Sequence, residues 1–517
     1  MWDVATQVGG AGGRQLLPVV SQFLAVIGAD GTPHPRLLAE LPSVERGTWT
    51  LNPDGTMETI WRLRPNVVWH DGTPFTADDI VFSWQVNRDP DVPNMNRGTI
   101  AMISDLHATD PHTVVARWSS VYPFADRLSD RELVPVPKHL LETSYREAKE
   151  AFLLQPYWST AYVGLGPYRI TLWDRGNTME LAAFDRYFLG RPKIDTIRVQ
   201  FIPDSNTMLA SLYAGAIQTV LPPGAPDPEP GLLLKQAWEA SGTGTALVYP
   251  LRWRFLEPQK RVTPQPADLV DVRVRRALLH ALDRTELAHV TFGEYGVVAD
   301  SWVQQDEPRA RIVGDAVTRY PYDPVRALDL LGQAGWQRGG DGTLEKGGQR
   351  FTVSVRGDEQ VAAIVGNSWR GVGVTAGYEQ FPAQLTRDRA ARASFSGFDV
   401  NTGPTSILNV GPRLATSDIP TPDNQWTGLN RGGYSNPEWD RLLQAISVTL
   451  EEPRRLEMER EMARIFTTDL PVLPIYFGLE LVPVAGITGI QPIRATPHIG
   501  VILHTWNVHA WDTAAKR

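Results

Sequence analysis

The sequence predicts a mixed α/β protein, and its length and two kinds of residue pattern support this class. The chain has 517 residues with a hydrophobic fraction of 42%, which is enough for a large core. Patterns typical of strands and of helices alternate irregularly along it. Residues 61–84 contain both. Apolar and charged residues alternate there at strand spacing, a His-Asp-Gly turn follows, and apolar positions compatible with a helix come next.

Helix starts carry the most specific local signals. Thr76 precedes a helical pattern and Asp79 lies three residues further on, which predicts a capping box. Asp283 with Glu286 predicts the same device later in the chain. An N-cap residue followed by proline at the first helical position predicts two more starts, at Asp323-Pro324 and at Asn436-Pro437.

Strand and loop predictions rest on composition. Strands are expected at 114–118, 194–202 and 246–255, and an extended segment at 470–476, where two prolines exclude a helix interior. Residues 222–230 are dense in proline and are predicted to form an exposed segment. Residues 396–413 and 423–434 are rich in glycine and in polar and aromatic residues. We expect them to form long loops, which are often functional.

Composition excludes several classes of protein. The formal net charge is −8 and no run of Lys or Arg occurs, so a nucleic-acid interface is not expected. The chain has no cysteine, which excludes disulfides, thiolate catalysis and iron–sulfur clusters. No apolar run approaches the ~20 residues of a membrane-spanning helix. The first residues lack the features of a secretory signal, so the protein is either intracellular or has lost a targeting segment.

Catalytic motifs are weak throughout the sequence. His70-Asp71 is the best candidate for an acid–base pair, but adjacent residues rarely point at one target, and a His-Asp-Gly turn is mostly structural. Nucleophile-elbow, zinc-protease and phosphate-loop motifs are missing. We therefore expect a protein that is not an enzyme and that holds no cofactor or metal. A hydrolase that uses His70 and Asp71 is the alternative from another class.

Several motifs together resemble those of the family 5 extracellular solute-binding proteins, the receptors of oligopeptide, dipeptide and nickel ATP-binding-cassette (ABC) importers. Residues 69–80 resemble the family's Trp-His-Asp-Gly-x-Pro segment, with Leu63-Arg64 before it as the family's strand end. Further matches follow in the family's order, at 164–168 (GLGPY), 271–284 (DVRVRRA…ALDR), 322–336 (YDPVRALDLLGQAGW), 434–440 (YSNPEWD) and 471–476 (PVLPIY).

The resemblance implies a two-lobed periplasmic-binding-protein fold of type II, cluster C, with an extra subdomain in the N-terminal lobe. One lobe would comprise residues 1–250 and 472–517, with the subdomain at about 30–155, and the other residues 251–471. Hinge crossings are expected near 249–255 and 471–478. A solute held between the lobes would pass to the permease subunits of an ABC importer. The expected location is extracytoplasmic, in the periplasm or at the cell surface, and the expected state is a monomer.

The resemblance also indicates candidate ligand-binding residues. Peptide-binding members place an aspartate before a Pro-Thr-Ser-like segment to pair with the peptide ammonium, and here Asp399 could serve. Arg254 or Arg413 would take a carboxylate, and Trp253 and Trp426 would stack on the ligand. The remaining candidates are Asn401, Thr405, Asn430 and Tyr434. An oligosaccharide or a metal chelate is the alternative ligand.

Overall fold

The computed structural model describes residues 11–92, 97–129, 132–222, 226–261, 268–305, 307, 309–491 and 503–514. The mixed α/β class is confirmed. The chain divides into two compact units. Unit 1 contains the chain up to Tyr249 and C-terminal segments that begin at Glu480, and unit 2 is Pro250–Leu479. The assignment of these units to the two lobes of a closing receptor stays a prediction.

The strands of unit 1 form small antiparallel sheets. A four-stranded sheet has the order β3-β4-β6-β5, and a three-stranded sheet has the order β7-β8-β9. Two-stranded pairs join β1 to β2 and β19 to β20. The bounds are β1 Ala25–Ile27, β2 Pro33–Pro35, β3 Trp49–Leu51, β4 Met57–Arg62, β5 Ile103–Asp110, β6 Thr113–Trp118, β7 Tyr168–Asp174, β8 Thr178–Ala183, β9 Thr196–Gln200, β19 Ile487–Thr488 and β20 Asp512–Thr513.

The helices of unit 1 include the one predicted after Thr76. Its start is capped as expected, because the Asp79 carboxylate accepts a hydrogen bond of 2.9 Å from the Thr76 amide. Gly72 in the turn before it has φ of 93°, which favours glycine. The described helices of this unit are α1 Ala11–Arg14, α2 Leu17–Val20, α3 Ala77–Arg88, α4 Arg97–Ala101, α5 Lys138–Glu147, α6 Lys149–Leu153, α7 Ser205–Tyr213 and α8 Pro228–Ser241.

A six-stranded mixed sheet forms the centre of unit 2, in the order β11-β18-β10-β17-β15-β16. Strand β17 pairs antiparallel with β10 and parallel with β15. The bounds are β10 Gly244–Pro258, β11 Val297–Val298, β15 Thr352–Arg356, β16 Thr375–Glu379, β17 Phe398–Pro404 and β18 Leu473–Ala485. The short strands β12 Gln337–Arg338, β13 Leu344–Lys346 and β14 Gln349–Arg350 form a separate sheet.

Three helices of unit 2 begin at the predicted caps. The side chains of Asp283, Asp323 and Asn436 each accept a hydrogen bond from a backbone amide in the first turn. The bounds are α9 Val272–His280, α10 Arg284–Phe292, α11 Ala310–Val313, α12 Pro324–Gln333, α13 Glu359–Arg370, α14 Arg389–Ala393, α15 Ile407–Arg413, α16 Pro437–Val448 and α17 Glu452–Asp469.

The central sheet of unit 2 is covered on both faces, because successive side chains of a strand point to opposite sides. Leu256 belongs to a buried cluster with residues of α9, α10, α12 and α13. Its neighbours Trp253 and Phe255 belong to another cluster, with residues of α15, α16 and α17. The second face carries the polar groups described below.

One loop prediction is wrong. Residues 396–413 form β17 and α15, because pairing with strands on both sides satisfies the backbone of β17 despite its Asn and Gly residues. Helix α8 begins at Pro228, inside the proline-dense segment that is predicted to be exposed, since a proline at the first position of a helix loses no hydrogen bond. Among the described residues of that segment Asp227 and Glu229 are exposed and Pro222 and Pro226 are buried, so the segment is exposed only in part. Residues 223–225 of that segment lie outside the described residues. Residues 423–434 contain turns and neither helix nor strand, as predicted.

Candidate functional site

The register between β10 and β17 places three polar side chains together at one end of the sheet. Glu257 lies opposite Asp399, and Phe255 lies opposite Asn401. Trp253 lies opposite Gly403, where an added Cβ would be only 2.8 Å from the indole nitrogen. Directly opposed side chains share a face of the sheet. The face therefore changes from aromatic to acidic along the two strands.

Two carboxylates are buried at the acidic end. Asp399 accepts a hydrogen bond of 2.9 Å from Arg356 Nε. Glu257 accepts one of 2.7 Å from the Gly432 amide. The amide nitrogen of Asn401 lies 3.1 Å from Asp399 Oδ2 and 3.3 Å from Glu257 Oε2, so it bridges the two acids. Burial raises the pKa of Glu257, and the charge of Asp399 raises it further.

Two arginines near these acids donate hydrogen bonds from every guanidinium nitrogen. Each of the three guanidinium nitrogens of Arg356 donates a hydrogen bond, and the same holds for Arg261. Besides Asp399, the acceptors are backbone carbonyls of Ala391, Arg392, Ala393, Pro420 and Arg431. These arginines therefore tie α14 and the loops after α15 to the ends of β10 and β15.

Two other arginines retain unused donors. Arg431 Nη1 lies 3.9 Å from Asp399 Oδ2, too far for a hydrogen bond, and its side chain is 16% exposed. Arg413 is half-buried, and its side chain forms no hydrogen bond or ion pair with any residue that the structure describes. Burial lowers the pKa of both guanidinium groups, while the charge of Glu257 partly offsets that effect. These two groups could bind an anion.

Lys260 adds a cation whose protonation changes in the neutral range. Its ammonium donates a hydrogen bond of 2.9 Å to the carbonyl of Pro471 and lies 5.9 Å from the centre of the Tyr434 ring. Burial lowers the pKa of Lys260 to about 7, and the charge of Arg275 acts in the same direction. Lys260 can therefore exchange a proton when the charge around it changes.

The loop at 423–434 is held by its own polar side chains. Asn430 is 1% exposed; its amide nitrogen donates to the carbonyls of Ala415 and Tyr434, and its oxygen accepts from the Tyr434 amide. The Tyr434 hydroxyl donates to Asp469 at 2.7 Å. Trp426 is half-buried in a left-handed backbone conformation, with φ of 58°. Because Trp426 is only half-buried, its ring has accessible surface on which a ligand could stack.

The remaining candidates lie apart from the acidic end. Arg254 follows Trp253 on β10, so it points to the opposite face, where it pairs with Asp358 at 2.5 Å. Trp253 is 2% exposed and donates to the carbonyl of Pro404. Thr405 is buried, and its carbonyl accepts from Arg309. The structure thus brings Asp399 and Asn401 together, with the charge of Arg413 acting on Glu257 nearby.

Sequence reasoning missed Glu257, Lys260, Arg356 and Arg431. An acid in the apolar run WRFLEP and an arginine ending the strand TVSVR are the signals that could have indicated them, because buried charges need partners. Arg309 was also missed. It pairs with Glu307 at 2.5 Å and with Glu459 at 2.7 Å, and all three are buried.

The chain matches the model of the bacterial extracellular solute-binding proteins, family 5 Middle, over residues 41–408. The chain belongs to this family.

A curated relative of this family 5 protein is the oligopeptide-binding protein AppA of Bacillus subtilis (strain 168). It is 25% identical over 445 residues, which cover 82% of this chain and 76% of AppA. Solved structures of similar fold include NikZ from Campylobacter jejuni in complex with Ni(L-His), at 22% identity and a TM-score of 0.71. That match covers 96% of this chain and 94% of NikZ. NikA from Brucella suis in complex with Fe(III)-EDTA is 18% identical with a TM-score of 0.74, covering 97% and 95%. At these identities the likeness shows the fold, which confirms the predicted periplasmic-binding-protein class.

The His70-Asp71 pair of the family 5 motif does not form a dyad. The ring of His70 accepts from the Gly164 amide through Nδ1 and bonds the Gly166 carbonyl through Nε2. The carboxylate of Asp71 instead lies 2.7 Å from His139 Nε2. Burial lowers the pKa of His70 to about 4, so its ring is neutral near physiological pH. The ring of His70 therefore links residues 69–80 to residues 164–168, two of the segments that resemble motifs of the family.

Within the described ranges, no group of three or more His, Asp or Glu side chains is placed to hold a metal ion. None of the helices described is both long and apolar enough to span a bilayer.

Proposed function

We propose that this protein is a receptor that captures an oligopeptide-sized solute outside the cytoplasmic membrane and delivers it to the permease subunits of an ABC importer. The match of residues 41–408 to a family of extracellular solute-binding proteins carries the proposal. The name of AppA describes oligopeptide binding, and the polar end of the β10–β17 face supplies groups suited to the two ends of a peptide. The receptor acts as a monomer, in the periplasm or at the cell surface, and performs no catalysis.

Asp399 is the proposed partner of the ligand ammonium. Its Oδ2 atom accepts one hydrogen bond, from Asn401, and has a lone pair to spare for a further donor. A carboxylate in a buried setting binds an ammonium more strongly than it would in water, because the local dielectric is lower. Asn401 would align the carboxylate, and Arg413 would take the ligand carboxylate.

The aromatic and loop candidates have supporting roles in this proposal. Trp426 would stack on the ligand, since its ring is half-buried in a loop without helix or strand. Trp253, Thr405, Asn430 and Tyr434 would shape the wall, because their polar groups already bond the protein. Arg254 would act only if its bond to Asp358 opened.

A metal-chelate receptor is the second candidate within the same class. The unused donors of Arg413 and Arg431 favour it, because a chelate exposes carboxylate oxygens. An oligosaccharide would use Trp426 and Asn401 but would leave both guanidinium groups without an anion.

Mass spectrometry of the solute released from purified protein, followed by calorimetric titration with that compound, tests the proposal. A released peptide that rebinds would support it. The absence of released solute, together with no heat from a panel of peptides, oligosaccharides and Fe(III)-EDTA, would overturn it.

The role of Asp399 is tested with paired peptides and variants. Wild-type protein should bind a tetrapeptide with a free amino terminus about tenfold or more tightly than its N-acetylated form, since a charged hydrogen bond contributes about 1.5–3 kcal/mol. Asp399→Asn should remove this difference, and Asp423→Asn on the exposed loop should retain it. Equal discrimination by wild type and Asp399→Asn would rule out the ammonium contact, whichever peptide binds.

A further inference from the structure

Cationic side chains outnumber acidic ones around the polar end of the β10–β17 face. The acids are Glu257, Asp399 and Asp418. The cations are Lys260, Arg261, Arg356, Arg392, Arg413 and Arg431. This excess occurs in a chain whose net charge is −8. The local positive charge is therefore a property of this part of unit 2 and not of the overall composition.

The excess is concentrated on three arginines whose side chains make no hydrogen bond of normal length to the described residues. The side chain of Arg413 has no hydrogen bond or ion pair with the described part of the chain, and Arg431 has a single acid 3.9 Å away. The Nε atom of Arg392 is buried without a partner among the described residues. By contrast, every guanidinium nitrogen of Arg356 and Arg261 donates a hydrogen bond. The unused donors thus belong to particular side chains.

Leaving such groups without acceptors costs free energy. A partly buried guanidinium loses water contacts, and the loss is compensated only when an anion or carbonyl replaces the water. These cations also repel one another: the charge of Arg431 lowers the pKa of Arg413, and the charges of Arg392 and Arg356 lower that of Arg431. An anion placed against both would remove the desolvation cost and the repulsion together.

We infer that the solute of this receptor is a small polyanion with two or more carboxylates, which are bound by Arg413 and Arg431 with Arg392 beside them. The inference rests on the proposed receptor function and narrows its ligand class. The planar guanidinium fork binds carboxylates bidentately, which suits two arginines whose charges act on each other to this chemistry. An acidic oligopeptide and a carboxylate-rich metal chelate both carry two or more carboxylates, and the titrations below distinguish between them.

Calorimetric titration with matched solutes is the first test. The peptides Ala-Glu-Glu-Ala and Ala-Gln-Gln-Ala have the same length and nearly the same shape, and Fe(III)-EDTA is the chelate. We expect the acidic peptide or the chelate to bind about tenfold or more tightly than the glutamine peptide, and that advantage to shrink as salt is raised. Tight binding of the acidic peptide indicates a peptide source. Tight binding of Fe(III)-EDTA alone indicates a chelate.

Variants of the two arginines are the second test. Arg431→Gln should weaken binding of the polyanion by about tenfold, with less than about twofold change for the glutamine peptide. Arg413→Gln should weaken binding of both, because its guanidinium is also the proposed partner of the terminal carboxylate that the glutamine peptide retains. Arg454→Gln is the matched control, because that side chain is 73% exposed on α17. The ligand-free Arg413→Gln variant should melt at the wild-type temperature or above it, since the guanidinium it removes has no hydrogen bond or ion pair with the described residues. Arg431→Gln is judged by its affinities alone, because its guanidinium lies 3.9 Å from Asp399 Oδ2. A merely structural arginine would instead lower the melting temperature.

Each outcome decides between the two proposals. Equal affinity for both peptides, with weaker binding of Fe(III)-EDTA, overturns the polyanion and leaves the receptor function standing. If no peptide or chelate gives heat, the receptor function fails as stated, and a thermal-shift titration with tricarballylate, a small tricarboxylate, judges the anion site alone. A rise in melting temperature that Arg413→Gln abolishes supports the site, and no rise overturns it.

Discussion

Single side chains in this protein differ in how much hydrogen-bonding capacity the fold consumes. Asn430 uses its amide nitrogen and its oxygen on backbone groups of its own loop. Arg261 donates from every guanidinium nitrogen to carbonyls. Arg413 uses none with the described residues. Hydrogen-bonding groups that the fold leaves unused, more than residue type, therefore distinguish a ligand candidate from a structural residue.

His70→Asn should flatten the acid dependence of stability. Burial lowers the pKa of His70 to about 4 in the folded protein, compared with 6.5 for an ordinary histidine. Between these values the unfolded chain binds a proton that the folded protein does not, so the free energy of unfolding rises with pH across this window and falls on acidification. The wild type should lose on the order of 3 kcal/mol more than the variant below a pH of about 4. Urea unfolding at a series of pH values measures the difference.

Two other histidines also contribute to the acid dependence of stability, and the control must allow for them. Burial also lowers the pKa values of His504 and His509 to about 4, so the variant retains part of the acid dependence. His289→Asn changes an exposed ring and should keep the wild-type profile. A His70→Asn profile as steep as that of the wild type would contradict a neutral, buried His70.

At the scale of elements, capped helices were predictable and β17 was not. Thr76 with Asp79, Asp323 before Pro324, and Asn436 before Pro437 are local signals, and each proved to start a helix. Strand β17 contains Asp399, Asn401 and two prominent turn formers, Gly403 and Pro404, so its local pattern favours a loop. Its pairing with β10 and β15 decides its conformation, and those partners are distant in sequence.

The 423–434 loop depends on one buried side chain, and Asn430→Ala should show it. The change leaves the carbonyl and the amide of Tyr434 without partners in a buried position and removes one of the two donors to the Ala415 carbonyl, which keeps the Asp418 amide. We expect the free energy of unfolding to fall by about 2–4 kcal/mol. Asn430→Asp should cost more near neutral pH, because a carboxylate would face two carbonyl oxygens. Urea unfolding measures both changes.

Asn66→Ala is the matched control for this loop. Asn66 is exposed, and its amide nitrogen makes only a long contact of 3.5 Å to the carbonyl of Phe188. Its replacement should change stability by less than about 0.5 kcal/mol. If Asn430→Ala were equally silent, Asn430 would be free to bind solute instead of holding the loop.

At the scale of the whole molecule, the candidate site is assembled from distant parts of unit 2. Glu257, Arg356, Asp399 and Arg431 come from two strands, the end of a third and a loop, spread over much of Pro250–Leu479. No local pattern links them, so sequence could place Asp399 and Arg413 only through the family resemblance. The partner that neutralises Asp399 is Arg356, and only the pairing of β15 with β17 brings the two together.

Because the proposed contacts all lie in unit 2, a bound solute should make the unfolding of this unit less frequent. A ligand that binds only the folded state, at about a hundred times its dissociation constant, stabilises that state by about 2.7 kcal/mol, and the slowest amides then exchange about a hundredfold more slowly. We expect this slowing in β10, β15 and β17, which carry the proposed contacts. Hydrogen exchange followed by mass spectrometry, with the tightest-binding solute of the panel, measures it.

Arg413→Gln at the same solute concentration separates specific binding from general stabilisation. A tenfold loss of affinity leaves the solute at about ten times its dissociation constant, so the slowing should shrink to about tenfold. Arg454→Gln should retain the full effect, because that exposed side chain lies outside the proposed site. If wild type and Arg413→Gln slowed equally, the solute would be stabilising unit 2 without the guanidinium of Arg413. If β17 showed no slowing at a saturating concentration, the bound solute would contact neither Asp399 nor its neighbours on that strand.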